Sequence, residues 1–340
     1  MAVQPMARFG DFYATDLVQF SSDFGVLDTD GKWAVAIPFQ GEPILAKFRN
    51  WSSADPSSSS IGSWSGLHES LWSSSLQAAE YVRAVEQTRE RIALGDVYQV
   101  NICRVRSAPL PEGNDIMALD ALLQVGNPAP FGGALRLPDH DVHIACASPE
   151  LFLSRRGCFI SSGPIKGTAA EISGISDKDE AENIMIVDLV RNDLSRCAKI
   201  GSVKVRDLLE VQVHPGLVQL VSTVDAEVSE GTSWGHILNA TFPPGSVTGA
   251  PKSTALELIG ELEPASRSIY CGAFGWVDAD TGAAQLAVAI RTFWIEGAYL
   301  KFGTGAGITW NSHSEREWEE TELKARRLAH VASWNRDVDA

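Results

Sequence analysis

Three runs near the C-terminus decide the fold: Gly272-Ala-Phe-Gly-Trp-Val277, Gln285-Leu-Ala-Val-Ala-Ile-Arg-Thr-Phe-Trp294 and Tyr299-Leu-Lys-Phe-Gly303. Each is rich in β-branched, aromatic or small apolar residues and reads as a strand. Further strand-like runs lie upstream at 97–105, 143–147, 151–154, 158–161 and 203–228, and short ones at 33–37 and 43–47. Helical spacing is confined to a few segments. Leu76, Ala79, Val82, Val85 and Ile92 recur every three or four residues before Gly95. A second helix is expected over 177–198 behind Ser176 as N-cap, with Asp179 three residues on, and a third over about 315–332. Strands in blocks broken by a few helices predict an α+β fold with largely antiparallel sheets.

The chain has 340 residues, with 28 Lys and Arg against 43 Asp and Glu, a formal net charge of −15 and a sequence pI near 4.9. An acidic balance argues against nucleic acid and against an anionic membrane surface as partners. No apolar run approaches the roughly 20 residues of a membrane-spanning helix. The N-terminus lacks a signal peptide's apolar stretch. The five cysteines are scattered and never spaced as CxxC, so a reduced, cytoplasmic setting is expected. Residues 52–75 are Ser-rich and read as a loop or linker. They separate a short strand-rich N-terminal portion, 1–75, from the rest of the chain, 76–335. No GxGxxG or GxxxxGK[ST] motif supports a nucleotide cofactor, and no histidine pairs with Ser or Cys in a hydrolase elbow.

Several constellations carry chemistry. Glu317, Glu320 and Lys324 fall at i, i+3 and i+7 and share one face of the last helix. They suit a divalent cation and an anionic ligand. A capping box with Ser314 and an ordinary Glu320–Lys324 pair explain the same spacing. Asp179 and Glu182 repeat the pattern near the start of the second helix, where they also complement the helix dipole. Two helices offering carboxylates suit Mg²⁺, a hard cation that prefers oxygen ligands. Lys166 in Pro164-Ile-Lys-Gly-Thr168 reads either as a desolvated nucleophile or as a surface lysine in a turn. Gly303-Thr-Gly-Ala-Gly307 reads as a glycine-rich segment between a strand and a loop, either a backbone cradle for an anion or a tight turn. Arg291, at the end of the run 286–290, is either an inward guanidinium for a carboxylate or a strand-end surface arginine.

Taken in order, these segments resemble the chorismate-utilising enzymes. The carriers are Gly95-Asp-Val-Tyr-Gln-Val-Asn101, Ala147-Ser-Pro-Glu-Leu-Phe152, Pro164-Ile-Lys-Gly-Thr168 and Ala181-Glu-Asn-Ile-Met-Ile-Val-Asp-Leu-Val-Arg-Asn-Asp193. Phe242-Pro-Pro-Gly-Ser-Val-Thr-Gly-Ala-Pro-Lys252, Ala287-Val-Ala-Ile-Arg-Thr292, Gly305-Ala306-Gly307 and the Glu317, Glu320, Lys324 helix complete the set, which spans about 76–330. The resemblance implies two large, mainly antiparallel sheets packed as a sandwich with helices outside.

It also implies a site. Glu182 and Glu320 match the principal Mg²⁺ carboxylates of the family, with Glu317 and Asp179 in support. Glu150 matches the acid that assists departure of the C4 hydroxyl of chorismate. Tyr270, Arg291, Gly305, Ala306, Gly307 and Lys324 match positions around the carboxylates of chorismate, and Gly167 and Thr168 match substrate contacts beside Lys166. Water-using members carry a lysine base where this chain has Gln99, a neutral amide. Lys166 is similar to the nucleophile of members that aminate chorismate at C4 to 4-amino-4-deoxychorismate for folate. Anthranilate-forming members usually have alanine there. The implied reaction takes chorismate and ammonia, the ammonia coming from a separate glutamine amidotransferase subunit. The alternatives are anthranilate or 2-amino-2-deoxyisochorismate formation, or a catalytically silent binding subunit. Gln219 stands where the family often has histidine before Leu-Val-Ser, and no tryptophan pocket is expected in 1–75.

Overall fold

The computed structural model describes residues 3–54, 61–169, 171–214 and 217–335, without the side chains of Thr168, Ala169, Asp177, Val213, His214 and Leu217. Its N-terminal strands are β1 (Met6–Phe9), β2 (Phe12–Ser21), β3 (Lys32–Ile37) and β4 (Ile44–Ser52). There follow β5 (Ser73–Ser74), helix α1 (Ala78–Ala93), β6 (Gln99–Pro109) and α2 (Ile116–Gly126). Next come β7 (Phe131–Leu137), β8 (Val142–Ser148), β9 (Leu151–Arg156), β10 (Phe159–Gly163) and β11 (Ile165–Ala169). The long helix α3 (Asp177–Ser195) leads into the hairpin β12 (Lys204–His214) and β13 (Leu217–Glu227). Then follow α4 (Trp234–Thr241), β14 (Gly249–Ala250), α5 (Lys252–Leu262), β15 (Ala273–Asp278) and β16 (Ala283–Val288). The chain closes with β17 (Thr292–Glu296), β18 (Tyr299–Ile308) and α6 (Ser314–Ala332).

Every pairing between these strands is antiparallel. One arm runs from β12 through β13, β10, β9, β16, β15 and β3 to β4. The other runs from β1 through β7, β8, β17 and β18 to β6. Strand β2 pairs with both β1 and β4 and joins the arms into one ribbon. Folding that ribbon on itself makes the expected sandwich. The main apolar cluster takes Trp33, Val35, Leu153, Phe274 and Leu286 from one arm and Val105, Leu135, Ile144 and Cys146 from the other. Helices α2 and α6 cover the outer face of β7, β8, β17 and β18 through a second cluster that includes Leu119, Leu123, Phe293, Phe302 and Leu328. Helices α1 and α5 pack Tyr81, Val85, Leu258 and Ile259 against β6 and β18, and α3 lies along β11, β12 and β13.

Three corrections to the sequence reading follow. The run 285–294 is not one strand: β16 ends at Val288 and β17 starts at Thr292, with Arg291 between them at φ 52°. That left-handed residue lets the chain leave one arm, where β16 pairs with β9, and enter the other, where β17 pairs with β8. The glycine-rich segment 303–307, expected between a strand and a loop, is strand throughout and pairs with Val105–Asn101 of β6. Helices α2, α4 and α5 had no expected counterpart. Helix α2 is buried on most of its surface, so its apolar residues form a run without helical stripes. In the Ser-rich stretch, residues 55–60 lie outside the described residues. Beyond them Trp64 and Leu67 are fully buried, and Trp64 Nε1 and the Leu67 N–H both donate to Ala332 O at the end of α6.

The N-terminal strands are tied to the rest by a buried ion pair. Arg8 of β1 donates from Nη2 to Asp120 Oδ1 of α2 at 2.7 Å and from Nε to Oδ2 at 2.5 Å. Removing one partner strands the other charge in the interior. Asp120→Ala is therefore expected to lower the unfolding free energy by about 3–5 kcal/mol, read by urea denaturation. An unchanged midpoint would mean that β1 adds nothing to the fold.

Candidate active site

The site forms where the two arms face each other around β18. Position 303 meets the ring of Tyr270: a Cβ there would lie 2.1 Å from it. At 305 it would lie 2.6 Å from Cys103 Sγ, and at 307 it would lie 2.4 Å from Gln99 Nε2 and 3.5 Å from Lys166 Nζ. Each glycine admits a neighbour that any side chain would expel. Ala306 between them faces the apolar layer under α1. Beyond residue 302, β18 is paired on the β6 side alone. Lys324 Nζ of α6 reaches the Gly305 carbonyl at 3.1 Å and the Glu320 carboxylate at 2.6 Å.

Glu150 sits in the short link between β8 and β9. Its N–H donates to Ser148 Oγ at 3.2 Å, and its carbonyl accepts from the Val288 N–H at 3.0 Å. The side chain is buried. Burial pushes the carboxyl up to about 7, against the opposing pull of a hydrogen bond from Ser246, the ammonium of Lys166, the Ile165 N–H and Lys324. A proton held near neutrality is what a general acid requires. Lys166, in β11 opposite Leu220 of β13, is partly buried. Its field acts on Glu150, Glu182 and Glu320, yet no carboxylate among the described residues lies within ion-pair distance of its amine. Gly167 takes φ 69°, and a Cβ there would come 2.9 Å from Asp179 Cβ. Thr168 continues β11 opposite Gln219, but its side chain lies outside the described residues.

Two helices bring the acids in. Helix α3 docks by its Ile186, Val187, Val190 and Leu194 face and by Asn183, whose side chain bonds Leu220 O and Ser222 Oγ of β13. Its Ser176–Asp179 capping box forms: Asp179 Oδ2 accepts from the Ser176 N–H and hydroxyl at 2.9 and 2.7 Å. One turn on, Glu182 is largely buried and its pKa is raised, first by burial and then by Glu317 and Glu320 over the opposing pull of Lys166 and Lys178. Its Oε1 is buried without a hydrogen bond. On α6 the capping reading of Glu317 fails. His313 is the N-cap, Ser314 Oγ donates to Glu86 at 2.6 Å, and Glu317 is buried beside the Lys178 ammonium at 3.3 Å. The ordinary Glu320–Lys324 pair does form, at the exposed rim. Burial acts upward on Glu320, but Lys324, Lys178 and Lys166 together hold its pKa below the usual value.

Arg291 is partly buried, and no side-chain hydrogen bond or ion pair joins it to another described residue. Burial and the neighbouring Arg327 lower its pKa. Its carbonyl accepts from the Ala147 N–H at 3.0 Å, three residues from Glu150. Tyr270 is buried, and the next residue, Cys271, donates its N–H to Ala289 O.

Sequence reasoning missed Ser246 as a partner of Glu150, although it lies within the quoted 242–252 block. It also missed Lys178, whose i, i+4 relation to Glu182 was visible and whose contact with Glu317 was not. Oxygen donors on two helices, one with an orphaned buried oxygen, fit a hard divalent cation. Among the described residues, however, no three acidic, His or Cys side chains converge as they stand.

A partly buried lysine whose charge acts on a buried carboxyl of raised pKa, and an arginine without a side-chain partner among the described residues, are groups suited to anion chemistry. The chain belongs to the chorismate binding enzyme family, whose pattern matches residues 53–330. It is 38% identical over 273 residues to aminodeoxychorismate synthase component 1 of Salmonella typhimurium, covering 77% of this chain and 59% of that protein. It is 35% identical over 270 residues to anthranilate synthase component 1 of Streptomyces coelicolor, covering 76% and 52%. The chain thus spans under three fifths of the length of such relatives. The fold superposes on a putative 2,3-dihydroxybenzoate-specific isochorismate synthase from Bacillus anthracis with a TM-score of 0.80 at 21% identity, covering 97% of each chain. Among the described residues no helix is long and apolar enough to cross a membrane.

The raised Glu150 pKa has a sign. The unfolded carboxyl ionises near 4.5 and the folded one near 7, so the fold loses stability as pH rises between these values and is flat above. The loss is about 3 kcal/mol at most. Urea unfolding from pH 4.5 to 8 should show the loss in the wild type and a smaller one in Glu150→Gln, where only the other raised carboxyls, Glu182 among them, still contribute.

Proposed function

We propose that this chain is a chorismate-aminating enzyme that forms 4-amino-4-deoxychorismate from chorismate and ammonia. The observation that carries the reading is Lys166: an amine without an ion-pair partner, beside the buried acid Glu150, at the position where anthranilate-forming members usually have alanine. Arg291 and Lys324 take the two carboxylates of chorismate, with Tyr270 and the 305–307 backbone as the wall behind them. The amine of Lys166 attacks C2, the C1=C2 double bond shifts to C1=C6 and the C5=C6 double bond to C4=C5, and the C4–OH bond breaks. Glu150 gives its proton to the departing hydroxyl, which leaves as water. Ammonia then adds at C4, both double bonds shift back, the C2–N bond to Lys166 breaks to restore the amine, and the Glu150 carboxylate regains its proton from the added nitrogen. Gln99 faces the same space, and its amide offers no base to activate water, which favours amination over hydroxylation.

Glu182, Glu317 and Glu320, with Asp179 behind, are the residues that would hold Mg²⁺, which when bound would neutralise one substrate carboxylate. The ammonia source in this reading is a separate glutamine amidotransferase subunit, in keeping with the component 1 naming of the relatives. Anthranilate formation is the second reading, favoured by the Streptomyces coelicolor relative.

Incubation with chorismate, Mg²⁺ and an ammonium salt separates the two. The expected product is 4-amino-4-deoxychorismate without pyruvate release; anthranilate fluorescence with pyruvate would overturn the proposal. Lys166→Ala should abolish the amination, and Glu150→Gln should lower kcat by about 100-fold or more. A Lys166→Ala enzyme with full ammonia-dependent activity would remove Lys166 from the chemistry.

A further inference from the structure

Two buried carboxylates of the site, Glu182 and Glu317, share one ammonium, and that group is not part of the chemistry above. Lys178 lies in the first turn of α3. Its Nζ is 3.5 Å from Glu182 Oε1, one turn along the same helix, and 3.3 Å from Glu317 Oε1 on α6. Both acids are largely buried, with side chains 13% and 4% exposed, whereas the lysine is 44% exposed. The ammonium therefore reaches inward from solvent to bridge two acids on different helices.

We propose that Lys178 is an internal counter-cation that occupies the acidic site in the metal-free protein and has to swing out before a divalent cation binds. This rests on the reading of Glu182, Glu317 and Glu320 as the cation site. Two observations carry it. Glu182 Oε1 is buried and lies at ion-pair distance from Lys178, but it receives no hydrogen bond. Charge rather than directional bonding holds that oxygen, which leaves it open to a better-fitting cation. Second, no three acidic side chains converge among the described residues. Glu182 and Glu317 stand around an ammonium, while Glu320 turns to Lys324. A monovalent ammonium can be outbid by a divalent ion that takes several oxygens at once, and its flexible stem has solvent to move into.

The consequence is a competition. Replacing Lys178 by a neutral side chain removes the competitor but exposes Glu182 and Glu317 to mutual repulsion. Chelator-treated full-length protein is titrated with Mg²⁺ by calorimetry, and its melting temperature is followed with and without the metal. Lys178→Met should bind Mg²⁺ about tenfold more tightly than wild type. It should melt lower than wild type without metal and recover that difference with saturating Mg²⁺. Lys178→Arg keeps the charge and should bind no more tightly than wild type. Equal or weaker Mg²⁺ binding by Lys178→Met overturns the counter-cation role and leaves the acids as a metal site. Absence of Mg²⁺ binding in every one of these proteins overturns the metal site itself, and the inference with it.

Discussion

The ten-residue pairing of β18 with β6 is the constraint on which the site depends. It runs from Tyr299 opposite Pro109 to Ile308 opposite Val100 without a register break. The pairing fixes glycine at 303, 305 and 307, because Tyr270, Cys103, and Gln99 with Lys166 close in on the same strand. It also sets where α6 lies. Thr304 Oγ1 donates to Thr321 O at 3.0 Å, and Lys324 reaches Gly305 O, so the helix that carries Glu317 and Glu320 is indexed to the glycine strand. Arg267, fully buried, adds the loop 245–247 by donating to Val247 O and Asn101 O at 2.8 and 2.7 Å. That loop presents Ser246 to Glu150.

A chain of charge −15 thus sets cations among its buried acids. Lys166, Lys178 and Lys324 act on Glu150, Glu182, Glu317 and Glu320. Global charge acts over a screened distance of about 8–10 Å, whereas the groups in the pocket act at contact range through low-dielectric surroundings. The net charge therefore bears on polyanionic partners and leaves the local field of the site to its own side chains.

The antiparallel character of the fold was legible because strands follow one another along 272–303 with turns between. The motif order placed Glu150, Lys166, Glu182, Arg291 and the 314–332 helix in one list before any geometry was known. What was illegible depends on tertiary neighbours. The break at Arg291 leaves no mark in a run of Val, Ile, Phe and Trp, since a positive φ at arginine is imposed by the crossing between arms. Gly303–Gly307 read as the junction of a strand and a loop because glycine marks both turns and close approaches. Spacing alone gave Glu317 to Ser314 as a cap, whereas the fold gives Ser314 to Glu86 and Glu317 to Lys178, a partner 139 positions away. Helix α2 was missed for a related reason: its burial on most sides removes the stripe by which a surface helix is recognised.

The ribbon that continues from one arm to the other through β1, β2 and β4 limits how the molecule can move. Two sheets linked by a loose segment can part like jaws about a hinge. Here parting them would sever the backbone ladder of β2 with β4 or of β2 with β1, the strand that Arg8 anchors to α2. Traffic to the pocket must then pass through small local motions at the rim, where Lys178, Glu320 and Lys324 end in solvent. The freedom such a frame leaves lies in the long side chains at the rim and in the ends of α3 and α6, not in the sheets.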